Sequence, residues 1–341
     1  AGFLVCVLSV VLPCLVVLFV VGIVPWHSIV WFYLIVTTEH MGLEVDRLLV
    51  AMSDQLAASF VILVRQAALP TVYVPLLVLL PAARNVGLLF ALWFGFNAIA
   101  IALGGFLIAR RSPNTGRVKV DWPWIRRGLV IASPFLAGTL CLRLIFTADR
   151  QIVAALADLS VLGAYTLYMS IAGGLTSLLA IGVHQFSYPL LVKAASRQDS
   201  TAFRRGVNAL WYQTFAVVGL AFLGSLVFHN WIAARFGQQI YLDFAWLLPA
   251  SIGSIGVYNL SLVPHYALYA FRSDRIILVT TLVSLVGFSG IIAILIHSGA
   301  QVVVAVLCGV LGASAILLVT KYISYRIAVH NLMSTWHLSV R

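Results

Sequence analysis

Long apolar stretches alternate with short polar gaps along the whole chain. The apolar stretches lie at 2–24, 28–50, 56–81, 86–108, 128–150, 159–191, 207–228, 244–270, 276–297 and 300–326. Each is at least as long as the roughly 20 residues that a helix needs to cross ~30 Å of hydrocarbon. The pattern therefore predicts an all-α, multi-pass membrane protein with about ten spanning helices.

Composition and charge support this prediction and orient the spans. The chain is 62% hydrophobic and only 9% charged, and its net charge is +11. Most of the 21 basic residues gather in every second gap, above all in 109–127. Because cytoplasmic loops are enriched in Lys and Arg, these gaps and the C-terminus are predicted to be cytoplasmic. The charge thus reflects membrane topology and attraction to anionic lipids, and does not indicate nucleic-acid binding.

The short gaps restrict the classes of function. The longest gap has about 19 residues, which leaves little chain from which to build an active site outside the bilayer. The sequence shows no metal-ligand spacing, no Gly-rich phosphate loop and no Ser/His/Asp combination. It therefore predicts neither an enzyme nor a cofactor or metal site. It favours a transporter whose helices themselves form the binding site.

Ionisable residues within the second span are the first candidates for a site, because charge inside a bilayer is costly. Glu39 and His40 lie near its middle, and Glu44, Asp46 and Arg47 lie toward its cytoplasmic end. The functional interpretation is a polar face toward a water-filled cavity, where Glu39 and His40 exchange a proton. The structural interpretation is a neutralised cluster that holds helices together. The two stay open for Glu39 and His40, whereas the structural one is favoured for Asp46 and Arg47.

Two arginines occupy similar depths in other spans. Arg65, followed by Gln66, lies in the middle of the third span, and Arg143 lies in the outer half of the fifth. An arginine stays charged, so each needs an anion, carbonyl groups or water. For Arg65 the candidate partners are Glu39 and an anionic substrate. Arg143, at a similar depth, is likewise a candidate for binding the substrate.

Polar groups on the later spans point more often to helix packing. Asp149 and Arg150 close the fifth span, where a structural pair is favoured. His184 with Gln185 in the sixth span, and Asn259 and His265 in the eighth, are expected to hydrogen-bond between helices.

Several short motifs resemble one family of membrane proteins. Residues 133–175 contain Pro134 early in a helix, the pair Asp149-Arg150 at its end and Gly163-Ala164-Tyr165 opening the next helix, and Pro189 follows near the end of that helix. These features resemble the seventh and eighth helices of Wzx-type polysaccharide exporters, the O-antigen flippases of the multidrug/oligosaccharidyl-lipid/polysaccharide exporter superfamily. Residues 39–70 resemble that family's fourth and fifth helices, and 265–275 resemble the end of its tenth.

The resemblance implies a two-lobed transporter similar to MATE proteins. A partial N-terminal lobe of four helices would span 1–108, a basic cytoplasmic linker 109–127, and a six-helix C-terminal lobe with a short tail 128–341. Members of this family have two six-helix lobes, so the first two helices are expected to be missing from this chain. Arg65 and Arg143 would then come from different lobes.

The resemblance also implies a substrate, an oligosaccharide linked through a diphosphate to a polyprenyl lipid. Arg65, Gln66, Arg143 and Tyr165 would bind its diphosphate and glycan, and Glu39, His40, Glu44 and His184 would serve coupling or line the cavity. Expected partners are membrane lipids, a proton or sodium ion and polysaccharide polymerase machinery, in the cytoplasmic (inner) membrane of a bacterium. A cation-coupled multidrug exporter of the same superfamily and a peptidoglycan-precursor flippase stay open as alternatives.

Overall fold

The computed structural model describes residues 16, 19–20, 25–52, 54–111 and 121–336. Within these residues the protein is helical and contains no strand. Contacts divide the chain into two compact units, 1–122 and 123–341. The prediction of an all-α, multi-pass membrane protein is thereby confirmed.

In its described residues the first unit contains four α-helices and a π-helical turn. α1 packs against α2 and α4, and a small apolar core of Leu49, Ala58, Val61 and Ala100 lies among them. At its edge, Arg111 at the end of α4 forms an ion pair with Asp54, which also caps α2 by accepting a hydrogen bond from the Ala57 amide. The helices are α1 (Ile29–Ala51), α2 (Gln55–Ile62), the π-helical turn (Leu63–Ala67), α3 (Ala68–Leu79) and α4 (Val86–Arg111).

The second unit is built around one buried helix, α10, which packs against α6, α8 and α12. A second π-helical turn joins α6 to α7, so the two continue as one long helix. The helices are α5 (Trp122–Leu156), α6 (Leu159–Leu179), the π-helical turn (Ala180–His184), α7 (Gln185–Ser196), α8 (Ser200–Arg235), α9 (Gln239–Asp243), α10 (Leu247–Ala270), α11 (Asp274–His297) and α12 (Val302–Trp336).

Small residues allow α11 and α12 to approach closely. A Cβ atom placed on Gly309 would lie 2.5 Å from Cγ1 of Ile292, and the Ser284 hydroxyl donates a hydrogen bond to the Ala313 carbonyl at 2.8 Å. Glycine contacts and serine-to-backbone bonds of this kind hold helices together in membranes, where the hydrophobic effect does not.

The number of membrane-spanning helices differs from the ten predicted. In the described part of the chain, seven helices are long and apolar enough to cross a membrane, or eight with the bent α5. The first predicted span, 2–24, falls almost entirely outside the described residues. α1 is a full-length helix but is not among the seven, and it carries four charged residues, Glu39, Glu44, Asp46 and Arg47.

The bend in α5 has a local cause. The axis turns by 49° between Trp122–Val130 and Ala132–Leu156. Pro134 lies one turn further on, and a proline removes the hydrogen bond to the carbonyl four residues earlier, here that of Val130.

Candidate functional site

Arg65 is the centre of a buried ionic cluster in the first unit. Its Nη1 donates a hydrogen bond to Oε2 of Glu39 at 2.5 Å, and its Nη2 to Oδ2 of Asp46 at 2.9 Å. The side chains of Arg65 and Asp46 are 2% and 9% exposed, whereas that of Glu39 is 30% exposed. The cluster therefore holds two carboxylates for one guanidinium, and its carboxylates occupy both terminal nitrogens of Arg65.

A third helix completes the surroundings of Glu39. Oε1 of Glu39 accepts hydrogen bonds from Nε1 of Trp93 at 2.7 Å and from Nδ2 of Asn97 at 3.1 Å, both on α4. The Asn97 amide also donates to the Trp93 carbonyl at 3.0 Å. Each Glu39 oxygen thus has a donor from a different helix, and the carboxylate joins α1 to both of its neighbours.

Backbone geometry brings the Arg65 side chain to this place. Arg65 lies in the π-helical turn, and such turns insert one residue into a helix and re-aim the side chains around it. The side chain then passes directly over Gly42 of α1, where a Cβ atom would lie 2.6 Å from Cδ of Arg65. The absence of a side chain at Gly42 is what admits the guanidinium.

The remaining predicted residues of this unit lie around the cluster. Glu44 is half-buried and forms an ion pair with the exposed Arg47 at 2.6 Å. His40 is half-buried on α1, and Gln66 is exposed. The sequence left Glu39 and an anionic substrate as candidate partners for Arg65. In the structure Arg65 is bonded to Glu39, and also to Asp46. The seven-residue spacing from Glu39 to Asp46, two helical turns, was the signal in the sequence for this second partner.

A cavity in the second unit contains the other predicted arginine. Its volume is about 460 Å³, and it lies between α5, α6 and α10. Arg143, Asp149 and Arg150 line it together, so the structure brings these three predicted residues to one place. The other lining residues are Thr139, Leu142, Phe146, Met169, Gly173, Thr176, Ser177, Ile255 and Tyr258.

The carboxylate of this cavity is fixed by hydrogen bonds. The Tyr165 hydroxyl donates to Oδ2 of Asp149 at 2.9 Å, and the Arg150 amide donates to Oδ1 at 2.6 Å. Tyr165 is fully buried. It therefore orients Asp149 from behind the cavity wall, which differs from the expected direct contact with a glycan.

The two guanidinium groups of the cavity have no such partners. Arg143 is exposed to the cavity, and Nε of Arg150 is buried without a hydrogen-bond partner. Within the described residues, neither guanidinium donates a hydrogen bond to a side chain or forms an ion pair within 4.0 Å. The charges of Arg143, Arg150 and Asp149 leave this cavity with a net positive charge, which suits an anionic ligand.

Other predicted residues of the second unit lie away from this cavity's lining. His184 is buried at the end of the second π-helical turn, and its ring centroid lies 5.0 Å from that of Tyr266. Gly163 is an exposed residue of α6, and Pro189 lies inside α7. Asn259 forms the predicted bond between helices, donating to Oγ1 of Thr176 at 3.0 Å. No group of His, Cys, Asp and Glu side chains in the described part of the chain has the geometry of a metal site.

The fold is similar to that of three solved structures. A mutant of the Vibrio cholerae MATE transporter VcmN matches with a TM-score of 0.73 and 15% identity, over 97% of this chain and 77% of that one. VcmN in its bent form matches with a TM-score of 0.68 and 16% identity, over 97% and 76%. A MATE protein in the bent conformation matches with a TM-score of 0.67 and 12% identity, over 89% and 67%.

These likenesses establish the MATE transporter fold for this chain. At such low identity they say nothing of the substrate. No protein-family model and no curated protein matches the sequence. The fold agrees with the superfamily that the sequence motifs resemble, whereas the Wzx-type family within it stays a prediction.

Proposed function

We propose that this protein is an alternating-access flippase that moves a polyprenyl-diphosphate-linked oligosaccharide across the cytoplasmic membrane for cell-surface polysaccharide synthesis. The observation that carries the proposal is the cavity of the second unit, where Arg143 and Arg150 face the space without carboxylate partners of their own. A MATE-type fold supplies the context of a membrane exporter.

The chemistry of a diphosphate matches this cavity. A guanidinium presents planar pairs of donors that fit two oxygens of a phosphate group, and it stays charged in a dry site. Thr139, Thr176 and Ser177 add hydroxyl groups to the same lining, which suits the sugars next to the diphosphate. In this proposal Arg143 and Arg150 bind the diphosphate, and Tyr165 acts indirectly by holding Asp149.

The first unit takes a different part in the proposal. Arg65 is occupied by Glu39 and Asp46, so we assign this cluster to coupling by a proton or sodium ion, with His40 and Glu44 beside it. Gln66 lies exposed in the same unit. The proposed setting is the inner membrane of a bacterium with basic loops and C-terminus in the cytoplasm, beside membrane lipids and polymerase machinery.

A second candidate function has an observation in its favour. The Arg65 cluster holds an excess of carboxylates, two for one guanidinium, and Glu39 keeps 30% of its side chain exposed. That excess suits a cation, as in a cation-coupled multidrug exporter. A peptidoglycan-precursor flippase shares the diphosphate chemistry of the first candidate, so the test must separate all three.

The test uses the full-length protein in a bacterium that lacks its own polysaccharide flippase and is supplied with this protein's native glycan pathway. We expect restored surface glycan with wild type, loss with Arg143→Ala, and partial function with Arg143→Lys, which keeps the charge but not the planar fork. The matched control is Arg205→Ala, since Arg205 is an exposed arginine on α8 that does not line the cavity.

The outcomes separate the candidates. Glycan rescue that survives Arg143→Ala contradicts the proposed site. Absence of rescue together with gained drug resistance assigns the protein to the multidrug exporters. Rescue of a strain depleted of its peptidoglycan-precursor flippase, without surface glycan, assigns it to that class.

A further inference from the structure

A second cavity of the second unit lies beside the bend in α5, away from the cavity described above. Its volume is about 440 Å³, within the range of ~300–1,000 Å³ that is usual for ligand pockets. We call it the turn cavity, because the turn between α10 and α11 forms one of its sides. It is lined by Val130 and Pro134 of α5, by Arg272 of that turn, and by Asp274, Arg275 and Ile276 of α11.

Two guanidinium groups of the turn cavity are unpaired. Arg272 and Arg275 are exposed, and within the described residues neither side chain donates a hydrogen bond or forms an ion pair. Asp274 is the carboxylate of the described lining, and its Oδ1 is buried without a hydrogen-bond partner. Because a guanidinium stays charged, the lining has two positive charges against one negative charge, which favours an anionic ligand.

The carboxylate of this turn differs from those of two similar turns. Asp54 caps α2 by accepting a hydrogen bond from the Ala57 amide at 3.4 Å, and Asp199 caps α8 by accepting one from the Ala202 amide at 2.9 Å. Asp274 makes no such bond, and α11 begins without a side-chain cap. The first amides of α11 therefore stay available beside the turn cavity, where they add to the attraction that the two guanidinium groups exert on an anion.

Tryptophan residues indicate the depth of the turn cavity in the membrane. Trp122 and Trp124 are both exposed on the first segment of α5, which is bent by 49° from the rest of the helix directly after Val130. Exposed tryptophans on a spanning protein are typical of the layer of lipid head groups. Val130 lies six residues after Trp124, or about 9 Å along the helix. The turn cavity therefore lies at the edge of the bilayer, on the side that the basic gaps predict to be cytoplasmic.

We propose that the turn cavity binds one anionic phospholipid of the phosphatidylglycerol type from the cytoplasmic leaflet. Arg272 and Arg275 bind the phosphate oxygens through charge-assisted hydrogen bonds, and Val130, Pro134 and Ile276 contact the upper part of the acyl chains. Basic pockets between membrane helices on the cytoplasmic side are suited to lipid head groups. The bound lipid thereby bridges the bend of α5 and the turn between α10 and α11. The inference depends on the membrane setting and not on the proposed substrate.

The lining favours this lipid over other carriers of phosphate. A free phosphate ion would leave the apolar side chains of Val130, Pro134 and Ile276 in contact with water, whereas acyl chains cover them. A zwitterionic head group would bring a further cation to a lining that is already positive. Phosphatidylglycerol carries one negative charge, which balances the excess of one positive charge among Arg272, Arg275 and Asp274.

Arg272 allows a substitution that removes a charge without harming the fold. Its φ is +55°, in the left-handed region where glycine is the favoured residue. Arg272→Gly should therefore leave the thermal unfolding of lipid-free protein in detergent unchanged or raise its midpoint. Gln198→Gly is the matched control, because Gln198 follows α7 with a φ of +56° and does not line the turn cavity.

Binding is measured by native mass spectrometry of the full-length protein in detergent, titrated with phosphatidylglycerol. We expect one tightly bound lipid per protein, with roughly 30-fold weaker affinity in Arg272→Gly/Arg275→Gln and unchanged affinity in Gln198→Gly, since each arginine contributes to holding the anionic lipid. Asp274→Asn should bind the lipid several-fold more tightly, because it removes the negative charge from the lining. A purely structural role of Arg272 and Arg275 would not produce these opposite changes.

Four results would overturn the proposal. The first is an affinity for phosphatidylglycerol that stays unchanged in the double variant. The second is equal affinity for phosphatidylcholine, which would remove the argument from charge. Displacement of the lipid by inorganic phosphate would assign the turn cavity to a free anion. Binding of a polyprenyl diphosphate several-fold more tightly than phosphatidylglycerol would assign it to a lipid-linked substrate instead of a membrane phospholipid.

Discussion

The two units surround the arginines within their helices in opposite ways. Arg65 in the first unit is enclosed by Glu39 and Asp46, and its cluster carries a net negative charge. Arg143 in the second unit faces a cavity of about 460 Å³ without a carboxylate of its own. The difference teaches that depth in a span does not define a binding residue. What distinguishes the two arginines is whether the protein itself satisfies the charge.

The largest effect is expected for Arg65→Met. Removing the guanidinium leaves Asp46 buried beside an unpaired Glu39, and half of a buried ion pair typically costs about 3–5 kcal/mol. We expect loss of folded protein from the membrane, measured by the yield and the thermal unfolding of detergent-solubilised protein. Glu39 is partly exposed, so most of the cost falls on Asp46.

Two further variants sharpen this prediction. Neutralising the whole cluster, with Arg65→Met, Glu39→Gln and Asp46→Asn together, should restore much of the stability, because no charge is then left unpaired. Arg143→Met should change stability by less than about 0.5 kcal/mol, as expected for an exposed side chain without partners. Equal destabilisation by Arg65→Met and Arg143→Met would remove the distinction between the two sites.

An intermediate loss of stability is expected for Tyr165→Phe. This variant tests whether Asp149 of the second unit is held as firmly as the carboxylates around Arg65. The variant removes the donor to Oδ2 of Asp149, and a bond to a charged group contributes about 1.5–3 kcal/mol. Tyr168→Phe is the matched control, because that fully buried tyrosine donates to the neutral carbonyl of Tyr241 at 2.7 Å. A larger loss in thermal unfolding for Tyr168→Phe would contradict the assignment of Asp149 as a held anion.

A smaller effect than that of Arg65→Met is expected for Gly42→Ala, which crowds the Arg65 side chain without removing a charge. The new Cβ would lie 2.6 Å from Cδ of Arg65, and Arg65 cannot move aside freely because both of its terminal nitrogens are bound. Overpacking of this kind costs about 1–3 kcal/mol. The control is Gly105→Ala on α4, where a Cβ atom meets nothing within 4 Å.

The sign of the stability change distinguishes Gly42→Ala from Gly105→Ala. Alanine has the higher helix propensity by roughly 0.5–1 kcal/mol, so Gly105→Ala should be neutral or stabilising in denaturation measurements. Stabilisation by Gly42→Ala as well would mean that Arg65 does not pass over this glycine.

The long helices of this protein could be predicted from hydrophobicity because a helix that crosses the bilayer needs about 20 apolar residues. The stretch 86–108 corresponds to Val86–Arg111, and 276–297 corresponds to Asp274–His297. The prediction starts α5 six residues too late, at 128 instead of 122, because Arg126 and Arg127 interrupt the apolar stretch although the helix runs through them. Hydrophobicity indicates which part of a helix can lie in the membrane, whereas the helix itself continues for as long as its backbone hydrogen bonds do.

The partners of buried charges could be predicted only in part. Glu39 was a candidate for Arg65 because consecutive helices pack together, but Asp46 was assigned to the interface from its position in the span. The bond from Tyr165 to Asp149 depends on the antiparallel approach of α5 and α6 across a short connection. The π-helical turns that aim Arg65 and His184 arise from one-residue shifts in backbone bonding, for which the sequence carries no simple signal.

The ionic cluster of the first unit also bears on how the chain enters the membrane during synthesis. α1 carries four charged residues, and each Asp or Arg at the centre of a helix raises the free energy of insertion by about 2.5–3.5 kcal/mol. Its counter-charge, Arg65, lies in the π-helical turn directly after α2, and only 52–54 separate α1 from α2. We therefore expect α1 to wait at the translocon until α2 emerges, and the two helices to leave together as one hairpin.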